Sequence, residues 1–124
     1  MALLREYKEI AYQWGIWKTE ESPEELLALL PDPERYEQQL TLFSSPHRKL
    51  EWLSVRVLLY QLLGEEKTIE YAPSGKPHLA DSSYFISISH TRGYVAVILS
   101  PVSEVGIDIE QYGQRVHKVA HKYM

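Results

Sequence analysis

Two acids stand one residue apart in the run Val105-Gly106-Ile107-Asp108-Ile109-Glu110. In an extended strand alternate residues share a face. Val105, Ile107 and Ile109 then point into a core, and Gly106, Asp108 and Glu110 point the other way. Carboxylates held that close repel one another unless a cation joins them. Oxygen ligands suit a hard ion, above all Mg2+, which keeps several waters and usually shares a substrate phosphate. The same D-x-E spacing also fits a solvated strand edge, so the pattern alone leaves both readings open.

Other residues have phosphate chemistry within reach. His90 ends the run Ser87-Ile88-Ser89-His90, close to Arg92. As an imidazolium or a hydrogen-bond donor it suits a phosphate; as a turn histidine it is satisfied by backbone. In Ser74-Gly75-Lys76-Pro77 the glycine lets backbone approach a ligand, the lysine is a point charge and the proline stiffens the loop. An ordinary connecting turn has the same composition. Arg48 and Arg56 lie about two helical turns apart and fit either a phosphate clamp or arginines snorkelling at a core edge. His117 and His121, at helical i,i+4 spacing, read as part of a solvated face with Arg115, Lys118 and Lys122 rather than as a metal pair.

These residues need elements to hold them. Aromatic and β-branched residues from Ile10 to Trp17 predict a strand. Ser22-Pro23-Glu24-Glu25 combines an N-cap, a first-turn proline and acids at the positive helix end, so a short helix runs to Leu30. A second short helix is expected over Glu34–Leu42. Ser45-Pro46 repeats the start signal, and a wide apolar arc predicts a long buried helix from Pro46 to Leu63, stopped by Gly64. Beyond Gly64 the period falls to two. Strands are expected over Thr68–Tyr71, Tyr84–Ser89, Tyr94–Ser100 and Val105–Glu110, with a hairpin turn at His90-Thr91-Arg92-Gly93. Arg115–Tyr123 reads as the start of a further helix.

The chain of 124 residues has room for one modest core and one domain. A net charge of -4 argues against nucleic-acid binding but leaves room for a local basic pocket. The absence of cysteine removes disulfides, thiolate catalysis and Cys-ligated metal centres together. No apolar run approaches the roughly 20 residues of a membrane span. The charges of Arg5, Glu6, Lys8 and Glu9 interrupt any signal-peptide core. A cytoplasmic protein with no membrane and no nucleic-acid partner is therefore expected.

Taken together and in order, Gly75-Lys76-Pro77, Ile86-Ser87-Ile88-Ser89-His90 and Val105-Gly106-Ile107-Asp108-Ile109-Glu110 resemble the 4′-phosphopantetheinyl transferases, a family that includes holo-acyl-carrier-protein synthase. The N-terminal helical region and the Arg56-bearing helix are similar to the larger, surfactin-synthetase-activating type. The resemblance implies transfer of the phosphopantetheine arm of coenzyme A to a serine of an acyl or peptidyl carrier protein, as in fatty acid biosynthesis. It implies that Asp108 and Glu110 hold Mg2+ against the pyrophosphate. It implies too that His90 and Ser89 meet a coenzyme A phosphate, that Gly75, Lys76 and Pro77 border the adenine and 3′-phosphate, and that Arg56 serves the nucleotide end. Asp108, Glu110 and His90 would be the catalytic set.

Larger members of that family are two similar halves about a pseudo-twofold axis, the second carrying a W-x-x-K-E-like motif. No such motif follows Glu110 here. Residues 1–124 are thus expected to be one α+β domain, an antiparallel sheet with a long helix on one face. They would equal the N-terminal half, cut at the start of a linking helix, inactive or nearly so alone, and self-associating as a homodimer through the exposed half-interface. Two other classes share parts of the pattern. A non-catalytic module binding coenzyme A or a carrier protein needs no metal, and a Mg2+-dependent phosphohydrolase needs no acceptor protein.

Overall fold

The computed structural model describes residues 3–8, 12–112 and 115–122. In chain order these form β1 (Leu3–Lys8), β2 (Gln13–Lys18), α1 (Pro23–Ala28), α2 (Glu34–Leu40), α3 (Pro46–Leu63), β3 (Ile69–Tyr71), β4 (Pro77–Leu79), β5 (Phe85–Thr91), β6 (Tyr94–Ser100), β7 (Val105–Tyr112) and β8 (Arg115–Lys122). An antiparallel sheet in the order β1-β2-β6-β5 is the central layer. The helices cover one face and the β7–β8 hairpin covers the other. Mixed helices and antiparallel strands agree with the expected α+β class, with the long helix packed on one face of the sheet.

Period-two alternation explains the layering. On β2 and β6, Trp17, Val95, Val97 and Leu99 face the helices, where Leu53, Val57, Leu58 and Leu62 of α3 complete a buried cluster. Trp14, Ile16, Ala96 and Ile98 face the opposite way, onto Val105, Ile107 and Ile109 of β7. On β5, Ile86 belongs to the helix-side cluster and Ile88 packs against it. Ser87 and Ser89 point to β7.

The helices start and stop where their chemistry dictates. Ser22 accepts from the Glu25 N–H while the Glu25 carboxylate accepts from the Ser22 N–H, a complete capping box. Ser45 caps α3 by accepting from the Arg48 N–H. Gly64 ends α3 in the left-handed conformation, φ 73°, and donates its N–H to the Tyr60 carbonyl.

Several sequence expectations change. Arg115–Lys122 is a strand, not the beginning of a helix: Val116, Lys118 and Ala120 are half-buried while His117 and Val119 are exposed, and the segment pairs with β7. Alternation and a partner edge outweigh the i,i+4 spacing of the histidines. The turn between β5 and β6 is narrower than His90–Gly93, because Thr91 pairs with Tyr94 and leaves only Arg92 and Gly93 to turn. Gly93 takes a positive φ, 74°, which glycine adopts without steric cost. His90 is therefore a strand residue. The strands β1 and β4 were not expected: β1 carries too many charges for an apolar alternation, and β4 is three residues long. The expected strand start at Ile10 and the end of the last element at Tyr123 lie outside the described residues.

Candidate functional site

A cavity of about 510 Å3 opens where α3, the β3–β4 turn and β5 meet. Arg48, Trp52 and Arg56 recur every four residues along α3, so one helical face delivers all three to its wall. Gly75 and Pro77 arrive from the β3–β4 connection. There Gly75 adopts φ 89°, and its N–H donates to the Ala72 carbonyl at 2.8 Å. His90 arrives from the end of β5.

Arg56 is the unusual member. Its residue is only 6% exposed, yet no salt bridge among the described residues engages it. The guanidinium lies 4.0 Å from the centroid of the Trp52 ring. It donates to the Trp52 carbonyl at 3.3 Å and to the Tyr71 hydroxyl at 3.4 Å. Burial pushes its pKa down from the ordinary arginine value, with Tyr71 pulling the other way. A guanidinium stays charged in a protein. A buried cation held only by neutral groups at a cavity wall is the electrostatic signature of a site that takes an anion. Arg48 lies 5.7 Å from the Phe43 ring centroid and adds a second positive charge.

His90 is fixed by the helix. Its Nδ1 lies 2.7 Å from Glu51 Oε2, and the other Glu51 oxygen lies 3.5 Å from His47 Nε2. A carboxylate on Nδ1 favours a proton there and leaves Nε2 for a second partner. The sequence drew attention to His90 and the arginines but not to Glu51, Trp52 or Tyr71. Glu51 and Trp52 were legible only as positions three and four residues beyond Arg48, on one helical face, and nothing in the sequence singles out Tyr71.

The structure thus brings Arg56, Gly75, Pro77 and His90 together and sets the other candidates apart. Lys76 extends to Glu104, 3.3 Å away, at a neighbouring cavity of about 520 Å3 bounded by Pro77, Ile86 and Val105. Ser89 Oγ accepts the Ile109 N–H at 3.2 Å, on the opposite face of β5 from His90. Asp108 and Glu110 are exposed on the outer face of β7, with Ile107 and Ile109 buried beneath them, and neither lines the two cavities. His117 stands across the β7–β8 ladder from Glu110. Among the described residues no group of three or more His, Asp or Glu gathers as a metal site. Two carboxylates on one strand face still fit a Mg2+ ion that takes one or two protein oxygens and fills its other positions with phosphate and water.

Fold and cavity together define an α+β domain with a buried arginine on a cavity wall, and comparison with known proteins makes the class narrower. No family model matches the chain. Curated relatives do. The 4′-phosphopantetheinyl transferases AcpT of Salmonella typhi, Salmonella typhimurium and Escherichia coli O157:H7 are each 38% identical to it over 64 residues. The match covers 51% of this chain and 33% of each relative. Over that segment the chain is related to the 4′-phosphopantetheinyl transferase family. No helix among the described residues is long and apolar enough to cross a membrane.

Proposed function

We propose that this chain binds coenzyme A for 4′-phosphopantetheinyl transfer to a carrier-protein serine. The observation that carries the reading is Arg56, a buried guanidinium without an ion pair among the described residues, facing the same cavity as Arg48 and His90. The 3′-phosphate of coenzyme A is the anion such a wall would hold, with Gly75 and Pro77 bordering the nucleotide. Lys76 joins the coenzyme contacts in this reading through the family resemblance, whereas the Ser89 hydroxyl, expected to do so, is turned to Ile109.

In the transfer the serine oxygen bonds to the phosphorus that carries the pantetheine arm. The bond from that phosphorus to the bridging oxygen breaks, and adenosine 3′,5′-bisphosphate leaves. Charge grows on the departing phosphate, and positive groups already in place stabilise it without reorganisation. Arg56, with His90 beside it on the cavity wall, would hold the departing nucleotide through its 3′-phosphate. Asp108 and Glu110 would hold Mg2+, which when bound supplies further charge stabilisation on the pyrophosphate oxygens. Turnover belongs to the two-half assembly that the resemblance implies, so the 124-residue chain is expected to bind coenzyme A without modifying an apo carrier protein. Cytoplasmic location and self-association belong to the same reading.

Calorimetric titration of coenzyme A and of 3′-dephospho-coenzyme A, each with and without Mg2+, tests it. Tighter binding of the 3′-phosphorylated form, strengthened by Mg2+, is expected. Equal binding of the two forms overturns the assignment of the cavity. A second reading, coenzyme A binding without chemistry, draws on the separation of Asp108 and Glu110 from the cavity. It is distinguished by binding that ignores Mg2+.

A further inference from the structure

The face of the central sheet that meets β7 is apolar: Trp14 and Ile16 from β2, Ala96 and Ile98 from β6. Ser87 and Ser89 lie on that face too, paired in register with Ile98 and Ala96. Hydroxyls among such neighbours need hydrogen bonds. Each makes one with β7. The Ile107 N–H donates to Ser87 Oγ at 3.4 Å, and the Ile109 N–H donates to Ser89 Oγ at 3.2 Å.

The two contacts share one spacing. Ser87 and Ser89 are two residues apart on β5, Ile107 and Ile109 are two apart on β7, and both strands run the same way through them. Yet among the described residues β5 ladders only with β6, and β7 only with β8. Two serine hydroxyls stand in for a backbone ladder between the layers. Asp108 lies between the anchored residues, and Glu110 follows the second. A slip of β7 by one residue would lose both contacts and turn the two acids toward Trp14 and Ile98.

We propose that Ser87 and Ser89 are positioning residues: they fix the register of β7 on β5 and thereby place the Asp108–Glu110 pair. The metal role of those acids rests on the function proposed above; the anchoring does not. Serine suits the task because its short side chain bridges two strands too far apart for backbone pairing, and threonine keeps the same oxygen.

Amide hydrogen exchange on the full chain decides the anchoring. The Ile107 and Ile109 amides are expected to be protected. In Ser87→Ala the Ile107 amide should exchange about tenfold faster or more, and in Ser89→Ala the same should hold for Ile109. Ser87→Thr and Ser89→Thr should restore protection, which a general loss of packing would not produce. Unchanged exchange of both amides in the alanine variants overturns the proposal. The consequence for the acids is read by titrating coenzyme A into Ser87→Ala. Its affinity without Mg2+ should match the unsubstituted chain, because the Arg56 cavity lies across the sheet, while the gain from Mg2+ should fall several-fold. A full gain despite a freed Ile107 amide overturns the link to the carboxylates. Absence of any Mg2+ effect in the unsubstituted chain overturns the metal role of Asp108 and Glu110, and leaves the anchoring to the exchange rates.

Discussion

The two faces of the central sheet are held by different means. On the helix side, sixteen buried side chains from α1, α2, α3 and the strands interlock, and Leu26, Leu53, Val57, Leu58 and Val97 are fully enclosed. On the other side the cluster that holds the β7–β8 hairpin has seven buried residues among those described, with Tyr12, Tyr94, Val116 and Ala120 packed against it, and two hydroxyls of β5 bond to β7. The proposed function is divided the same way. The cavity with Arg56 and His90 belongs to the side with the larger buried cluster, and the carboxylates of β7 belong to the side with the smaller one. A preformed anion cradle tolerates no slack, whereas a carboxylate pair that shares its ion with a substrate can sit on a layer whose register needs only pinning.

The largest expected effect breaks the helix side. Leu58→Ala should cost about 4 kcal/mol, toward the upper end for a buried leucine, because packed neighbours on every side keep the cavity open. Ile107→Ala should cost nearer 2 kcal/mol, because the smaller cluster on this face can settle into the gap. Urea unfolding midpoints of the two variants, at unchanged slope, measure the difference. Equal costs would remove the contrast between the faces.

Next comes a substitution in which stability and binding part company. Arg56→Met should weaken coenzyme A binding about 10- to 100-fold by calorimetry, the loss expected for a charged donor to phosphate. Stability should hold or rise, because methionine fills the space against Trp52 without the cost of a buried charge. A fall in stability with binding intact would show Arg56 to be a structural residue. Smaller again is Gly64→Ala, at about 1 kcal/mol. No atom lies within 4 Å of the added Cβ, so the cost is that of φ 73° alone. A larger loss in thermal unfolding would mean that the end of α3 is under packing strain as well.

Much of the helix side was legible in the sequence. Ser22-Pro23 and Ser45-Pro46 are start signals read from covalent chemistry alone, and Gly64 is a stop signal of the same kind. The alternation in Val105–Glu110 likewise predicted that Val105, Ile107 and Ile109 would be buried and Asp108 and Glu110 exposed, although Gly106, expected to face outward with the acids, is buried as well. What could not be read was the relation between layers. Nothing local says that Ser87 and Ser89 bond to β7, that His90 reaches Glu51 on α3, or that Lys76 turns to Glu104. Each joins residues 20 or more positions apart, and only the folded layers bring them together. Arg115–Lys122 failed for the complementary reason: its histidine spacing fits helix or strand equally, and the pairing with β7 decided it.

The smallest effect is pH-dependent and sharpens the same contrast. The Ser22 N–H, with the Ser22 side chain second, holds the Glu25 carboxyl below its ordinary value of 4.5. Lys67, with Ser83 second, holds the Asp81 carboxyl well below 3.8. A carboxyl depressed by folding adds stability above its unfolded pKa and loses it as pH falls through the folded value. Both groups sit at the surface, so water and salt screen much of the benefit. Both also serve the helix side, Glu25 by capping α1 and Asp81 by tying Lys67 beside β3. The Ser87 and Ser89 hydroxyls do not titrate in acid. Below about pH 4 the midpoint of urea unfolding should therefore fall less steeply in Glu25→Gln and Asp81→Asn than in the unsubstituted chain. Substituting the hydroxyls of β5 should lower the whole curve without changing its acid slope. An acid slope altered by Ser87→Ala would mean that β7 and its carboxylates contribute to the pH dependence assigned here to the helix side.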